Sequence, residues 1–148
     1  MTTKNAILTV RTIVSSYREF EQAARRSDIS MAQYRLMLYL QNGPKRAGEI
    51  AAAAEIAKPT VSLAINGLRE KGWVTTSPDT DGRASCVVIT PSGRKRMKSF
   101  EGELGALLKK MMGEGDFEAL TEVLADAYHA MGATKDERLK SVERQMND

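Results

Sequence analysis

One change of hydrophobic period constrains the fold of this chain more than any other feature. Apolar residues recur every three to four positions up to residue 71 and again from residue 91 onward, as on one face of an α-helix. Between these parts, residues 73–77 and 84–89 read as two short strands with a period of two. Turn-forming residues from Pro78 to Gly82 separate them. The sequence therefore predicts a mainly α-helical fold that contains one small β-hairpin.

Capping and helix-breaking residues divide the helical pattern into six segments. The predicted helices cover residues 6–24, 31–40, 47–54 and 58–71, a long segment from residue 91, and a last segment from residue 117. Ser30, Thr90 and Asp116 are suited to N-cap positions, and Gly72 is suited to ending a helix. Residues 133–148 balance four basic against four acidic side chains, and we interpret them as a charged tail or a marginal helix.

The third and fourth predicted helices are short and closely linked, which is typical of a helix-turn-helix. At 100° per residue, Val61, Ala64, Ile65 and Leu68 share the face of the fourth helix that must pack on the core. The opposite face holds Pro59, Ser62, Leu63, Asn66 and Gly67. These residues are small or able to hydrogen-bond, so this face is suited to entering a DNA major groove.

Individual side chains of that helix suit different parts of DNA. Ser62 and Asn66 are candidates for hydrogen bonds to base edges, and Leu63 for contact with a thymine methyl group. Lys58, Pro59 and Thr60 begin the helix, where backbone N–H groups and a lysine favour phosphate.

The hairpin and the charge distribution also indicate a polyanionic partner. Arg83 follows Asp81 and Gly82 at the hairpin tip, where it can enter a minor groove while Asp81 orients its guanidinium. Residues 44–98 contain ten basic and five acidic side chains, although the whole chain has a net charge of only +3. Lys45 and Arg46 belong to this basic segment and are further candidates for DNA contact.

The scarcity of cysteine and histidine excludes several classes of site. Cys86 and His129 are the only residues of their types, which leaves no intrachain disulfide, cysteine-based zinc site or histidine cluster. No glycine-rich phosphate loop or paired carboxylates are present, so the sequence predicts no enzyme, no cofactor and no metal site. No apolar run reaches the length of a membrane span, and the first residues lack the features of a secretory signal. We expect a cytoplasmic protein without membrane association.

The ordered motifs from residue 29 to residue 98 resemble the MarR family of bacterial winged helix-turn-helix transcription regulators. The similar positions are Gln33, the run Glu49-Ile50-Ala51, residues 58–62, residues 68–74, Asp81-Gly82-Arg83, Val87, Ile89-Thr90 and Gly93. The resemblance implies that residues 29–90 form a DNA-binding lobe. It also implies that residues 1–28 and 91–132 form a helical dimerisation region within one domain spanning 1–148.

The resemblance further implies a homodimer that binds a palindromic operator on double-stranded DNA, and a repressor released by a small molecule. Such molecules are often aromatic acids or their thioesters. The implied effector site lies between the dimer helices and the winged lobe, where Tyr17, Phe20, Met31, Tyr34 and Arg35 are the candidate lining residues. For each aromatic or methionine residue, a place in the hydrophobic core is the competing interpretation.

Some positions depart from the family pattern, and other functions stay open. Leu63 and Gly67 stand where many relatives carry a basic residue, and Thr75 and Thr76 stand where arginine is common. The alternatives are a redox-responsive regulator that uses Cys86, and a winged-helix module that binds proteins without specific DNA recognition.

Overall fold

The structure is a computed structural model that describes residues 3–78, 82 and 85–147. Within these ranges it contains six helices and one two-stranded sheet. The elements are α1 Thr3–Arg25, α2 Met31–Leu40, α3 Ala47–Ala54, α4 Lys58–Glu70, β1 Val74–Pro78, β2 Ser85–Ile89, α5 Pro91–Met112 and α6 Phe117–Asn147. The predicted fold class, mainly α-helical with one hairpin, is confirmed. The backbone of α6 continues as a helix through residues 133–147.

Local capping explains where several helices begin. The Ser30 hydroxyl accepts a hydrogen bond from the backbone N–H of Gln33, whose side chain in turn accepts from the N–H of Ser30, and this reciprocal pair starts α2. The Thr90 hydroxyl accepts from the N–H of Gly93 at the start of α5. Asp116 does the same for Ala119 at the start of α6. All three predicted N-caps are therefore confirmed.

The two strands pair antiparallel, from Val74 opposite Ile89 to Pro78 opposite Ser85. A third segment joins this sheet through one residue: Lys45 and Val87 exchange two backbone hydrogen bonds of 3.2 and 2.8 Å. This bridge, which the sequence did not predict, attaches the segment before α3 to the hairpin.

The hydrophobic core lies in the lobe formed by α2, α3, α4 and the hairpin, together with the first half of α5. Its largest fully buried side chains are Phe100, Ile29, Met37, Leu40, Ile50, Leu68 and Val74. α2 packs against α4 and α5, and α3 packs against α4. The second and fourth helices are therefore held against one another by a common core, which fixes how α4 is presented.

Large apolar side chains outside this core are exposed along α1 and α6. On α1 they are Ile7, Leu8, Val10, Ile13, Val14 and Tyr17, and on α6 they are Val123, Leu124, Tyr128 and Met131. We call these ten residues the apolar face of α1 and α6. Large apolar side chains exposed in this number are typical of an interface between protein chains. No helix among the described residues is long and apolar enough to cross a membrane.

Arg96 of α5 forms ion pairs with the link between α1 and α2 and with a second residue of α5. Its guanidinium lies 2.8 Å from a carboxylate oxygen of Asp28, in the link between α1 and α2, and 3.1 Å from Glu103. The hydrogen bond from Arg96 lowers the pKa of the Asp28 carboxyl, and the pair therefore stays ionised at neutral pH. This pair links the α1–α2 corner to α5.

Candidate nucleic-acid interface

The two faces of α4 separate as the sequence predicts. Val61, Ile65 and Leu68 are buried in the core, and Ala64 packs partly buried against it. The opposite face presents Ser62, Leu63 and Asn66 to solvent. Leu63 is 75% exposed, the largest exposed fraction among the exposed large apolar residues of the described chain. An exposed leucine beside two hydrogen-bonding side chains forms a mixed surface that can contact base edges and a thymine methyl group.

The first turn of α4 is open to solvent. Lys58, Pro59 and Thr60 are all exposed, and the N-cap residue Ala57 provides no side-chain hydrogen bond to the helix. Pro59 has no N–H, and the N–H of Thr60 donates to the carbonyl of Ala57 at 3.0 Å, so the positive charge at this end comes mainly from the exposed Lys58 side chain. This end of α4 therefore has the chemistry of a phosphate contact.

The second half of the exposed face differs from the prediction at Gly67. We placed Gly67 on the free face, but an added Cβ there would lie only 2.6 Å from Nε2 of Gln33 in α2. Gly67 is therefore a packing position between α2 and α4, and the prediction of a free residue was wrong. The neighbouring Asn66 keeps its exposure, and its Oδ1 accepts a hydrogen bond of 3.3 Å from Arg69.

Lys45 and Arg46 lie at the base of the hairpin. Both are half-buried, and the backbone of Lys45 forms the bridge to Val87. The N–H of Arg46 donates to Oε1 of Glu49 at 3.3 Å, and its guanidinium lies 3.7 Å from the same oxygen. Arg46 therefore begins α3 as well as adding positive charge.

The hairpin tip is described only at Gly82, whose φ is +70°. A positive φ is favoured by glycine and fits the predicted turn. The proposed minor-groove residue Arg83 and its partner Asp81 lie outside the described residues.

The start of α5 fixes the base of the hairpin. The Thr90 hydroxyl donates to the carbonyl of Gly72 at 2.7 Å, and the Thr90 N–H donates to the carbonyl of Trp73 at 3.0 Å. Gly93 lies so close to this strand that an added Cβ would overlap the Trp73 carbonyl oxygen and lie 3.0 Å from Ile89. Strand, turn and helix are thus joined at one tightly packed point.

The five candidate effector residues occupy different surroundings. Tyr17 is exposed on α1, and Phe20 packs partly buried against the core. Met31 lines an open cleft of about 510 Å³ at the α1–α2 corner, whereas the exposed Arg35 lines a separate, smaller cavity between α2, α3 and α4.

Tyr34 packs partly buried against the core and has a polar end. Its ring packs edge-to-face on Phe100 at 5.5 Å between centroids, and its hydroxyl donates to Glu101 at 2.9 Å. Burial, and then the hydrogen bond to Glu101, raise the pKa of Tyr34. Because Met31 and Arg35 line different cavities, the structure does not bring the five candidate effector residues together around either cavity.

The arrangement of a helix-turn-helix followed by a hairpin defines the winged-helix class of DNA-binding folds. Residues 27–84 match the model described as the MarR family. This segment of the chain is therefore similar to the MarR family, and the resemblance inferred from the sequence motifs is confirmed. No curated protein matches it.

Solved structures share the fold over most of the chain. The Multiple Antibiotic Resistance Repressor, MarR, is 18% identical, with a TM-score of 0.68 over 86% of this chain and 95% of that chain. A transcriptional regulator from Thermotoga maritima is 23% identical, with a TM-score of 0.61 over 92% and 98%. The transcriptional regulator BldR from Sulfolobus solfataricus is 22% identical, with a TM-score of 0.60 over 85% and 99%. The likeness extends beyond the winged lobe to the flanking helices.

Proposed function

We propose that this chain is a sequence-specific DNA-binding transcription regulator that acts as a homodimer. The observation that carries the proposal is the exposed face of α4, where Ser62, Leu63 and Asn66 stand free of the core. In this proposal α4 enters the major groove, while Lys58, Pro59 and Thr60 approach the phosphates at its start. Arg83, oriented by Asp81, contacts the minor groove, and Lys45 and Arg46 add positive charge at the base of the hairpin.

The proposed dimer is formed by the apolar face of α1 and α6. A twofold axis through this face gives two lobes that read a palindromic operator, with recognition helices separated by roughly 34–36 Å, one turn of DNA.

We expect Ser62→Ala and Asn66→Ala each to relax base preference at one position per half-site. A lost bond to a base edge corresponds to about 1–3 kcal/mol of discrimination. The measurement is a base-substitution scan of a duplex that the wild-type chain selects from a random pool. Ser99→Ala, an exposed change on α5, is the matched control. An unchanged preference profile in both α4 variants would contradict their assignment.

The same titrations separate DNA recognition from a winged-helix module that binds only proteins. Specific DNA binding weakens steeply with salt, with a log–log slope of about −0.9 per phosphate contact. A chain that selects no sequence from the pool, and whose residual binding does not depend on the sequence, favours the protein-binding alternative.

We further propose that the regulator is a repressor released by a small molecule with an acidic or acyl-thioester group on an aromatic body. Tyr17, Phe20, Met31, Tyr34 and Arg35 remain the proposed lining, with Arg35 as the partner of a carboxylate. The support is the exposure of Arg35 and Tyr17 and the incomplete burial of the others, together with the family resemblance. A dimer brings further residues to these surfaces.

A ligand that binds only the folded protein raises the apparent stability, by about 2.7 kcal/mol at a hundred times its dissociation constant. We therefore expect at least one member of a panel of aromatic acids and thioesters to raise the melting temperature and release the selected duplex. Arg35→Ala removes the response to the free acid, whereas the control Lys109→Ala, at an exposed position of α5, keeps it. A panel without any stabilising member rejects this ligand class.

The redox alternative has less support. The Cys86 thiol is buried in β2. Oxidation favours exposed thiolates, so the structure gives no reason to assign Cys86 a sensing role.

A further inference from the structure

Gln33 lies where the start of α2 meets the second half of α4. Its side-chain oxygen accepts a hydrogen bond of 3.1 Å from the N–H of Ser30 and one of 3.3 Å from Nζ of Lys71. The first bond belongs to the cap of α2, whereas the second comes from the residue that ends α4. One amide side chain therefore connects two helices of the lobe.

The nitrogen of the same amide lies in the space that a side chain at position 67 of α4 would occupy, and we call this space the notch at Gly67. An added Cβ at Gly67 would lie 2.6 Å from Nε2 of Gln33 and 3.9 Å from its Cδ. Gly67 is helical and is not among the residues with positive φ, so its backbone conformation does not require glycine. The missing side chain at position 67 instead leaves the space in which the end of the Gln33 amide lies.

Lys71 holds the same end of α4 from a second direction. Its ammonium group donates to the backbone carbonyl of Asp28 and lies 4.9 Å from the centre of the Trp73 ring. Gly67 and Lys71 are four residues apart and therefore share one side of α4. Both residues contact Gln33 of α2, while Ser62 and Asn66 are exposed to solvent.

We propose that Gln33 is a positioning residue for DNA recognition. It fixes the position of α4 on the lobe through the notch at Gly67 and the hydrogen bond from Lys71. The inference rests on the proposed function, in which α4 reads the operator. A recognition surface must be held to within about 0.5 Å and 10–20° of its productive geometry. An amide fixed by two hydrogen bonds and one notch can provide that constraint without touching DNA.

A side chain at position 67 therefore requires the end of the Gln33 amide to move from its present position. An arginine at position 67 adds a cation beside the reading face, which strengthens attraction to phosphate. It also displaces the Gln33 amide, so the position of α4 on the lobe is less firmly fixed. Gly67→Arg therefore has two opposite effects in the wild-type background, but only the first effect when Gln33 has been replaced by alanine.

The experiment compares the wild type, Gln33→Ala, Gly67→Arg and the double variant. Each is titrated with the duplex that the wild type selects and with an unrelated duplex of equal length, and the ratio of the two affinities measures specificity. We expect Gln33→Ala to lower this ratio about tenfold, a change of ~1.4 kcal/mol, and to leave unrelated binding within about twofold. Gly67→Arg lowers the ratio in the wild-type background but does not lower it further in the Gln33→Ala background.

Two further variants separate positioning from general loss of structure. Gln33→Glu keeps an acceptor for Ser30 and Lys71, and we expect it to restore most of the lost ratio. Gly67→Ala displaces only the flexible end of Gln33, so it should lower the ratio while changing the melting temperature little. Circular dichroism and oligomeric state confirm that each titrated variant is folded.

Distinct results overturn the two proposals. An equal loss of affinity for both duplexes in Gln33→Ala, or no change for either, contradicts the positioning role while leaving DNA recognition intact. A gain in the ratio for Gly67→Arg in both backgrounds contradicts the notch. If the wild type selects no sequence at all, the proposed function falls, and the role of Gln33 falls with it.

Discussion

Val14→Asp converts the proposed dimer into a monomer. Val14 lies on the apolar face of α1 and α6 and is 64% exposed in the single chain, so an aspartate there is tolerated by the free protomer. In the dimer the carboxylate would be buried without a partner, and an unpaired interfacial charge corresponds to roughly 2–5 kcal/mol. We expect the dimer dissociation constant to rise about a hundredfold or more, as measured by sedimentation at several concentrations.

The matched control for this experiment is Ser15→Asp. Ser15 is the next residue of the same helix, is also exposed, and lies about 100° around the helix axis from Val14. It adds the same charge to α1, and the dimer should persist. Because two linked lobes bind a palindrome more tightly than one, Val14→Asp should also weaken binding to the selected duplex. If both variants remain dimeric, the dimer does not use this face of α1.

Gly93→Ala is expected to destabilise the fold by about 2–3 kcal/mol, because the added methyl group overpacks a site with no space. The added Cβ overlaps the Trp73 carbonyl oxygen and approaches Ile89. Backbone and a buried strand side chain cannot yield as the end of a flexible chain can. The measurement is the free energy of unfolding in denaturant at a fixed protein concentration.

Gly102→Ala provides the control within the same helix. A Cβ added at Gly102 meets nothing within 4 Å. Alanine is favoured over glycine in helices by up to about 1 kcal/mol, so stability should hold or rise. Equal effects of the two substitutions would show that helix propensity, rather than the contact with the strand, determines the result at Gly93.

Features that depend on neighbouring residues were predictable from the sequence. The caps at Ser30, Thr90 and Asp116 require only a hydroxyl or carboxylate placed three residues before an N–H, and all three are observed. The hairpin and the two faces of α4 follow in the same way from local periodicity.

Contacts between distant segments were not predictable. Gly67 was placed on the free face because a helical wheel does not contain the angle at which α2 crosses α4. The bridge between Lys45 and Val87 joins residues that are far apart in the sequence, and no local pattern marks it. The packing of Tyr34 against the core similarly depends on Phe100 and Glu101 of α5, whereas its aromatic character alone is compatible with a ligand pocket.

The bridge between Lys45 and Val87 has a mechanical consequence for the lobe. Because the residue two positions before α3 is hydrogen-bonded to the middle of β2, the hairpin cannot tilt without pulling on the start of the helix-turn-helix. Thr90, which follows β2, donates hydrogen bonds to the carbonyls of Gly72 and Trp73, which lie just before β1. The hairpin and the helix-turn-helix should therefore move as one rigid unit.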